Sequence, residues 1–146
     1  MLKHKVHHFA KDQESKLEEI GDYMASPVTS IDSESFVKEA AQVMHSKHIG
    51  SVFVKENGKF VGIITENDLS RKVVAGNLDS EKTKVSQIMT KPVLTLESVD
   101  NVTKANQLMA QKNIRHLGVT KDGEVVGVLS VRDLVSFYAN PRMRVW

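Results

Sequence analysis

Gly62-Ile63-Ile64-Thr65-Glu66-Asn67-Asp68-Leu69 returns later in the chain as Gly127-Val128-Leu129-Ser130-Val131-Arg132-Asp133-Leu134. Both copies run glycine, two apolar residues, a hydroxyl, two variable positions, aspartate and leucine. The pattern reads as a β-strand whose end delivers a hydroxyl, followed by the first turn of a helix that holds a carboxylate three residues on. A hydroxyl and a carboxylate so spaced can converge on one small polyol. They can equally serve the helix alone, with Thr65 and Ser130 as N-caps and Asp68 and Asp133 as first-turn acids favoured by the helix dipole.

Outward from the motif, the whole chain superposes on itself at one constant offset of 65 positions, set by Met24 and Met89 (89 − 24 = 65). Pro27-Val28 falls on Pro92-Val93, Val37 on Val102, Ala40 on Ala105, Met44 on Met109, Ile49 on Ile114 and Gly58 on Gly123. A fixed register through so many kinds of element indicates duplicated structural units, and two copies suit a closed pseudo-symmetric pair better than a solenoid.

The periodicities predict the elements of each copy. Ser15 with Glu18 forms a capping box, and Leu17, Ile20 and Met24 recur at helical spacing, so a first helix is expected up to Pro27. A strand is expected over Val28–Ile31, then a helix capped by Ser33 or Ser35 with Val37, Ala40, Ala41 and Met44 on its apolar stripe. His45 and His48 close that helix, where a cation suits the dipole. Strands Ile49–Val54 and Lys59–Thr65 flank Asn57-Gly58, a pair that accepts positive φ and favours a tight hairpin. Asp68 opens the next helix, with Leu69, Val73 and Val74 apolar and Gly76-Asn77 ending it.

The second copy restates this with Val85, Ile88 and Met89, a strand over Val93–Leu96, and a helix with Val102, Ala105, Leu108 and Met109. Strands Leu117–Thr120 and Val125–Ser130 then flank Asp122-Gly123, and a last helix spans Asp133–Tyr138. The organisation read from this is an N-terminal basic arm (1–14), a first repeat (15–77), a polar linker (78–84), a second repeat (85–140) and a tail (141–146) whose Trp146 is expected to pack on something apolar.

The element order, the Met-x-x-Pro-Val lead of each copy and the two Gly-h-h-[Thr/Ser]-x-x-Asp-Leu exits resemble a tandem pair of cystathionine-β-synthase (CBS) domains, a Bateman module. The resemblance covers about Ile20 to Tyr138. It implies an α/β fold of the α+β type, with two β-α-β-β-α repeats whose three-stranded sheets pack about a pseudo-twofold axis. It also implies a sensor that binds an adenine-containing ligand between repeats and changes conformation, and a homodimer through apolar residues of the post-motif helices, Val73, Val74 and Phe137.

Composition fits such a module. The 146 residues carry a net charge of +2 and no cysteine, so disulfide and thiolate chemistry are excluded. The basic residues are spread along the chain, unlike the stripe of a nucleic-acid binder. No apolar run is long enough to span a bilayer, and the arm lacks the apolar core of a signal peptide, so a cytoplasmic location is expected. His4, His7 and His8 lack acidic or thiol partners at ligand spacing, so no metal site is expected there. Neither a nucleophile–base set nor a phosphate-cradling glycine loop is recognisable, which argues against an enzyme.

The resemblance assigns roles residue by residue. Thr65 and Asp68 in one copy, and Ser130 and Asp133 in the other, would hold a ribose, with Val28, Thr29, Ile49 and Ile63 around a base. A ligand seated on one repeat extends its phosphates towards the other repeat's strand opening and pre-aspartate pair. Those positions carry Arg115, His116 and Arg132 in the second copy, but Gly50, Ser51, Glu66 and Asn67 in the first. Guanidinium forks suit phosphate oxygens whereas Glu66 repels them, so AMP is expected to prefer Thr65 and Asp68. The alternative for the two arginines is pairing with surface acids such as Glu97 or Asp122. Among ligands, AMP, ADP, ATP, S-adenosylmethionine, NAD and a cyclic dinucleotide stay open, and the effector protein is unidentified. The competing reading is an interaction scaffold whose pockets are empty and whose motifs are only caps.

Overall fold

The structure, a computed structural model, describes residues 18–139. The basic arm with His4, His7 and His8, Ser15 and Leu17 of the expected first helix, and the tail from Pro141 to Trp146 lie outside the described residues. Where that helix should continue there is only a 3-10 turn, Ile20–Asp22. The reason lies in its backbone donors. Ile20 N–H bonds to Asp100 O and Gly21 N–H to Ser98 O, both 2.9 Å, so donors that a longer helix would turn inward are already committed elsewhere. Ile20 is nonetheless fully buried, as its place in the apolar pattern requires.

The chain forms two compact units. The first-sheet unit is Val28–Leu94. It contains β1 (Ser30–Asp32), α1 (Val37–Lys47), β2 (Ser51–Glu56) and β3 (Lys59–Thr65). Helix α2 follows, opening as one α turn over Glu66–Asp68 and continuing as a π-helix over Leu69–Val74, and α3 spans Val85–Ile88. The sheet order is β1-β2-β3, parallel then antiparallel. Asn57 (φ 51°) and Gly58 (φ 77°) make the expected positive-φ hairpin turn. One layer of helix covers the sheet: Val37, Ala40 and Met44 of α1 join Val52, Val54, Ile64, Val73, Val85 and Ile88 in a single buried cluster.

The second-sheet unit comprises residues 18–27 and 95–139. Its elements are β4 (Thr95–Glu97), α4 (Val102–Lys112), β5 (His116–Lys121), β6 (Glu124–Ser130) and α5 (Val131–Ala139), with sheet order β4-β5-β6. Asp122 (φ 53°) and Gly123 (φ 80°) repeat the turn, and a register shift after Val119 repeats the one after Val54. Val102, Ala105 and Met109 are buried together with Leu117, Val119 and Leu129. The mixed α/β architecture, one three-stranded sheet with helices in each half, is the expected one.

The compact units do not coincide with the sequence repeats. The segment leading into the second repeat belongs to the first sheet, where Thr90 pairs antiparallel with Ile63. The segment leading into the first repeat belongs to the second sheet, where Ala25 pairs with Val128. This exchange explains the glycine that opens each motif. A Cβ on Gly62 would stand 2.6 Å from Met89 Sδ and 3.1 Å from Thr90 O, and one on Gly127 would stand 2.3 Å from Met24 Sδ and 3.0 Å from Ala25 O. Only glycine lets the lead-in backbone cross there.

Local details depart from the sequence reading in three places. Helix α1 starts from Phe36 with no side-chain cap, because neither Ser33 nor Ser35 stands at its N-cap; Ser33 is buried, with its N–H bonded to Lys55 O. The equivalent position of α4 is Asn101, whose side chain accepts from Lys104 N–H at 2.8 Å. The first strand of each sheet begins later than expected, at Ser30 and Thr95. Finally, Val73 and Phe137 are not free for an interface: they are 5% and 4% exposed, each inside its own unit, whereas Val74 is 78% exposed.

Candidate functional site

Each sheet ends in a hydroxyl–carboxylate station, and the two are built alike at their base. In the first, β3 delivers Thr65 in an extended conformation that ends the strand and caps α2. Asp68 N–H donates to Thr65 Oγ1 at 3.3 Å, while Asp68 Oδ2 accepts from Thr65 N–H at 2.9 Å and from its hydroxyl at 3.2 Å. In the second, Asp133 N–H donates to Ser130 Oγ at 3.1 Å, and Asp133 Oδ2 accepts from Ser130 N–H at 2.8 Å and its hydroxyl at 3.0 Å. Both are therefore complete capping boxes, with two helix-end donors satisfied in each. In each carboxylate this uses one oxygen, leaving Oδ1 to do something else.

What Oδ1 does differs between the stations. Asp68, only 5% exposed, accepts there from Thr90 Oγ1 at 2.8 Å and pairs with Lys72 Nζ at 2.9 Å. Lys72 is held from a second side, donating to Ile88 O at 2.9 Å. The π-helical stretch carries Lys72 on its middle turn, with Ala75 N–H bonding to Ser70 O. Asp133 is half-buried, and among the described residues no donor reaches its Oδ1. At the constant offset, Phe137 stands for Lys72 (137 − 72 = 65) and Ala25 for Thr90 (90 − 25 = 65). Neither offers a side-chain hydrogen bond. Phe137 instead packs edge-on against Tyr23, ring centroids 4.7 Å apart.

The residues assigned to a base all fall in the first-sheet unit. Ile63 precedes Thr65 by two positions and so shares its face of β3. Its main chain is fully used, exchanging bonds of 3.0 and 2.9 Å with Thr90, so it offers only an apolar wall. Val28, Thr29 and Ile49 are half-buried. Thr29 O accepts from Phe53 N–H at 2.9 Å, and Phe53 is the register partner of Ile63. Phe53 thus links the Thr29 and Ile63 sides of the sheet. In the sequence it is one residue of the strand expected over Ile49–Val54, and its pairing position opposite Ile63 is the signal that marks it.

Arg115, His116 and Arg132 all fall in the second-sheet unit, at the same end as Ser130. His116 is the register partner of Ser130, and Val131 N–H donates to Arg115 O at 3.0 Å. Arg115 and Arg132 are exposed. Among the described residues the ion pairs are Lys38–Glu81, Lys72–Asp68, Lys84–Glu34 and Lys104–Asp100, so neither arginine pairs with Glu97 or Asp122. Glu97 is engaged by the Thr120 hydroxyl instead, at 2.8 Å. Lys72 is a further cation, in the first copy and outside the phosphate-facing positions, in direct contact with the motif carboxylate. Its signal was the i,i+4 spacing from Asp68. Among the described residues no group of three or more His, Asp or Glu is arranged to hold a metal, and no helix is long and apolar enough to cross a membrane.

The CBS-domain family model matches residues 20–75 and 85–140, the two halves that carry the stations. The chain belongs to the CBS-domain family. Pairs of CBS domains are in general regulatory, ligand-binding modules. The chain is 34% identical over 140 residues to the mitochondrial CBS domain-containing protein CBSX3 of Arabidopsis thaliana, covering 86% of this chain and 68% of that one. The crystal structure of the CBS-domain containing protein ATU1752 from Agrobacterium tumefaciens superposes with a TM-score of 0.76 at 28% identity, covering 82% of this chain and 98% of that one. The hexameric CBS-CP12 protein from bloom-forming cyanobacteria gives a TM-score of 0.74 at 28% identity, covering 83% and 73%. None of these three relatives is named as an enzyme.

Proposed function

We propose that this CBS pair is a non-catalytic sensor that binds an adenine-containing nucleotide and passes its occupancy on as a change of conformation or of partner binding. The ribose diol is held at Thr65 and Asp68 or at Ser130 and Asp133. Arg115, His116 and Arg132 supply the phosphate contacts, and Val28, Thr29, Ile49 and Ile63 wall the base. The observation that carries the reading is the duplicated station itself: a carboxylate fixed by one oxygen in a capping box, with the other oxygen pointing to a role beyond the helix. At Asp133 that second oxygen has no donor among the described residues, and a sugar hydroxyl is the kind of neutral donor that suits it. Two exposed arginines without acid partners among the described residues are suited to phosphate oxygens. Candidate ligands are AMP, ADP, ATP, S-adenosylmethionine and NAD.

Mass spectrometry of small molecules released from purified protein identifies the ligand, and a nucleotide that binds only the folded state raises the melting temperature. A second reading, an interaction scaffold with empty pockets, draws on the fact that both motifs already satisfy themselves as capping boxes. No retained nucleotide and no thermal shift with any of the five ligands favours that scaffold. For assembly we propose a homodimer through the exposed apolar residues of the post-motif helices, Val74, Val135 and Tyr138. Light scattering distinguishes a dimer from a monomer or a hexamer.

A further inference from the structure

The two stations differ in one respect that the duplicated motif conceals: one carboxylate is already occupied by the protein. We infer that Lys72, with Thr90, is an internal competitor for the ribose position on Asp68, so that the Ser130–Asp133 station fills first. The Thr65–Asp68 station binds only when the Lys72 ammonium is displaced. This rests on the nucleotide reading above and reverses the order expected from the phosphate contacts alone.

Asp68 Oδ2 is committed to the cap by two bonds from Thr65, and Oδ1 carries Thr90 Oγ1 at 2.8 Å and Lys72 Nζ at 2.9 Å. A carboxylate offers about four lone-pair sites, so these four donors account for its capacity. An incoming diol must therefore replace a donor, exchanging an ion pair for bonds from neutral hydroxyls. Thr90 is fixed by the two main-chain bonds it exchanges with Ile63, whereas the Lys72 side chain is 45% exposed. Lys72 is thus the partner that can leave, since its ammonium has water to move into. At Asp133 the positions corresponding to both donors are Phe137 and Ala25, and no donor among the described residues has to leave Oδ1. The specificity element is therefore a residue four positions beyond Asp68, outside the motif, and it acts through the helix that follows.

Adenosine is the probe of choice, because it brings the diol but no phosphate that could recruit the displaced ammonium. Calorimetric titration is expected to show one tighter event in the wild type that Asp133→Asn removes; the asparagine keeps an acceptor for the cap but presents an amide donor outward. Lys72→Met keeps the apolar stem and removes the charge. It should raise adenosine affinity at the Thr65–Asp68 station about threefold to tenfold, the range spanned by exposed ion pairs and charged hydrogen bonds. Asp68→Asn in the Lys72→Met background should abolish that gain. Thr90→Ala, with its melting temperature followed alongside, gives an independent partial release if Lys72→Met folds poorly. Unchanged or weaker adenosine binding in both Lys72→Met and Thr90→Ala overturns the competition while leaving the nucleotide reading intact. Folded wild type and variants that bind neither adenosine nor AMP overturn the nucleotide reading and the competition with it.

Discussion

The first-sheet and second-sheet units start from the same motif and end with opposite electrostatics around it. In the first, the carboxylate is buried and closed by an ammonium and a hydroxyl; in the second, no donor among the described residues reaches the corresponding oxygen, and Phe137 holds the position that Lys72 has in the first. The difference arises at positions outside the repeated octapeptide, Lys72 against Phe137 and Thr90 against Ala25. A duplicated backbone thus preserves where a carboxylate stands, while unrepeated neighbours decide which donors reach its second oxygen. Because one acid in each pair is more deeply engaged, mutations at equivalent positions should have unequal effects, and this gives the comparison its tests.

The largest effect is expected where the two units agree. Gly62→Val and Gly127→Val each drive a branched side chain into a crossing backbone carbonyl that stands 3.1 or 3.0 Å from the Cβ position. Each should lose about 3 kcal/mol, the upper part of the overpacking range, because the carbonyl cannot swing away as the methionine can. Urea unfolding of both variants measures it. A loss confined to one glycine would break the symmetry of the exchanged segments.

The next effect separates the units. Asp68→Ala removes a buried carboxylate that closes the cap and also accepts from exposed Thr90 and Lys72, and should cost about 2 kcal/mol. Asp133→Ala removes only a cap and a dipole interaction, so about 1 kcal/mol is expected. Equal losses in denaturant titration would mean that the Lys72 and Thr90 contacts add nothing to the fold. The smallest effect concerns the first helix of each sheet. Asn101→Ala deletes a cap bond and should cost about 1 kcal/mol, whereas the equivalent Phe36 has no cap bond to lose. Thermal melts of Asn101→Ala and Phe36→Ala, the latter corrected for lost apolar area, test this.

Much of the fold was legible because its signals are local. Asn57-Gly58 and Asp122-Gly123 announce positive-φ hairpins, and the Val37, Ala40, Met44 stripe with its echo at Val102, Ala105, Met109 announces two packed helices. The base of each station was legible for the same reason, since a capping box spans four consecutive residues. What stayed hidden is non-local. Thr90 meets Asp68 only because the lead-in segment of the second repeat crosses the first sheet, and no pattern along the chain marks that exchange. The same crossing hid the reason for Gly62 and Gly127. The described part of the helix expected up to Pro27 departs for a similar reason: its apolar spacing was real, but the Ile20 and Gly21 donors go to Asp100 and Ser98, far away in sequence.

The most direct test of the nucleotide reading is a calorimetric titration of AMP and adenosine into wild type and Arg132→Ala. If Arg132 meets a phosphate, AMP binds more tightly than adenosine at the Thr65–Asp68 station, and Arg132→Ala weakens AMP at that station by about tenfold or more while adenosine is almost unchanged, with the gap narrowing as salt rises. The absence of saturable heat for AMP in folded wild-type protein, or an equal loss for AMP and adenosine in Arg132→Ala, would contradict the account.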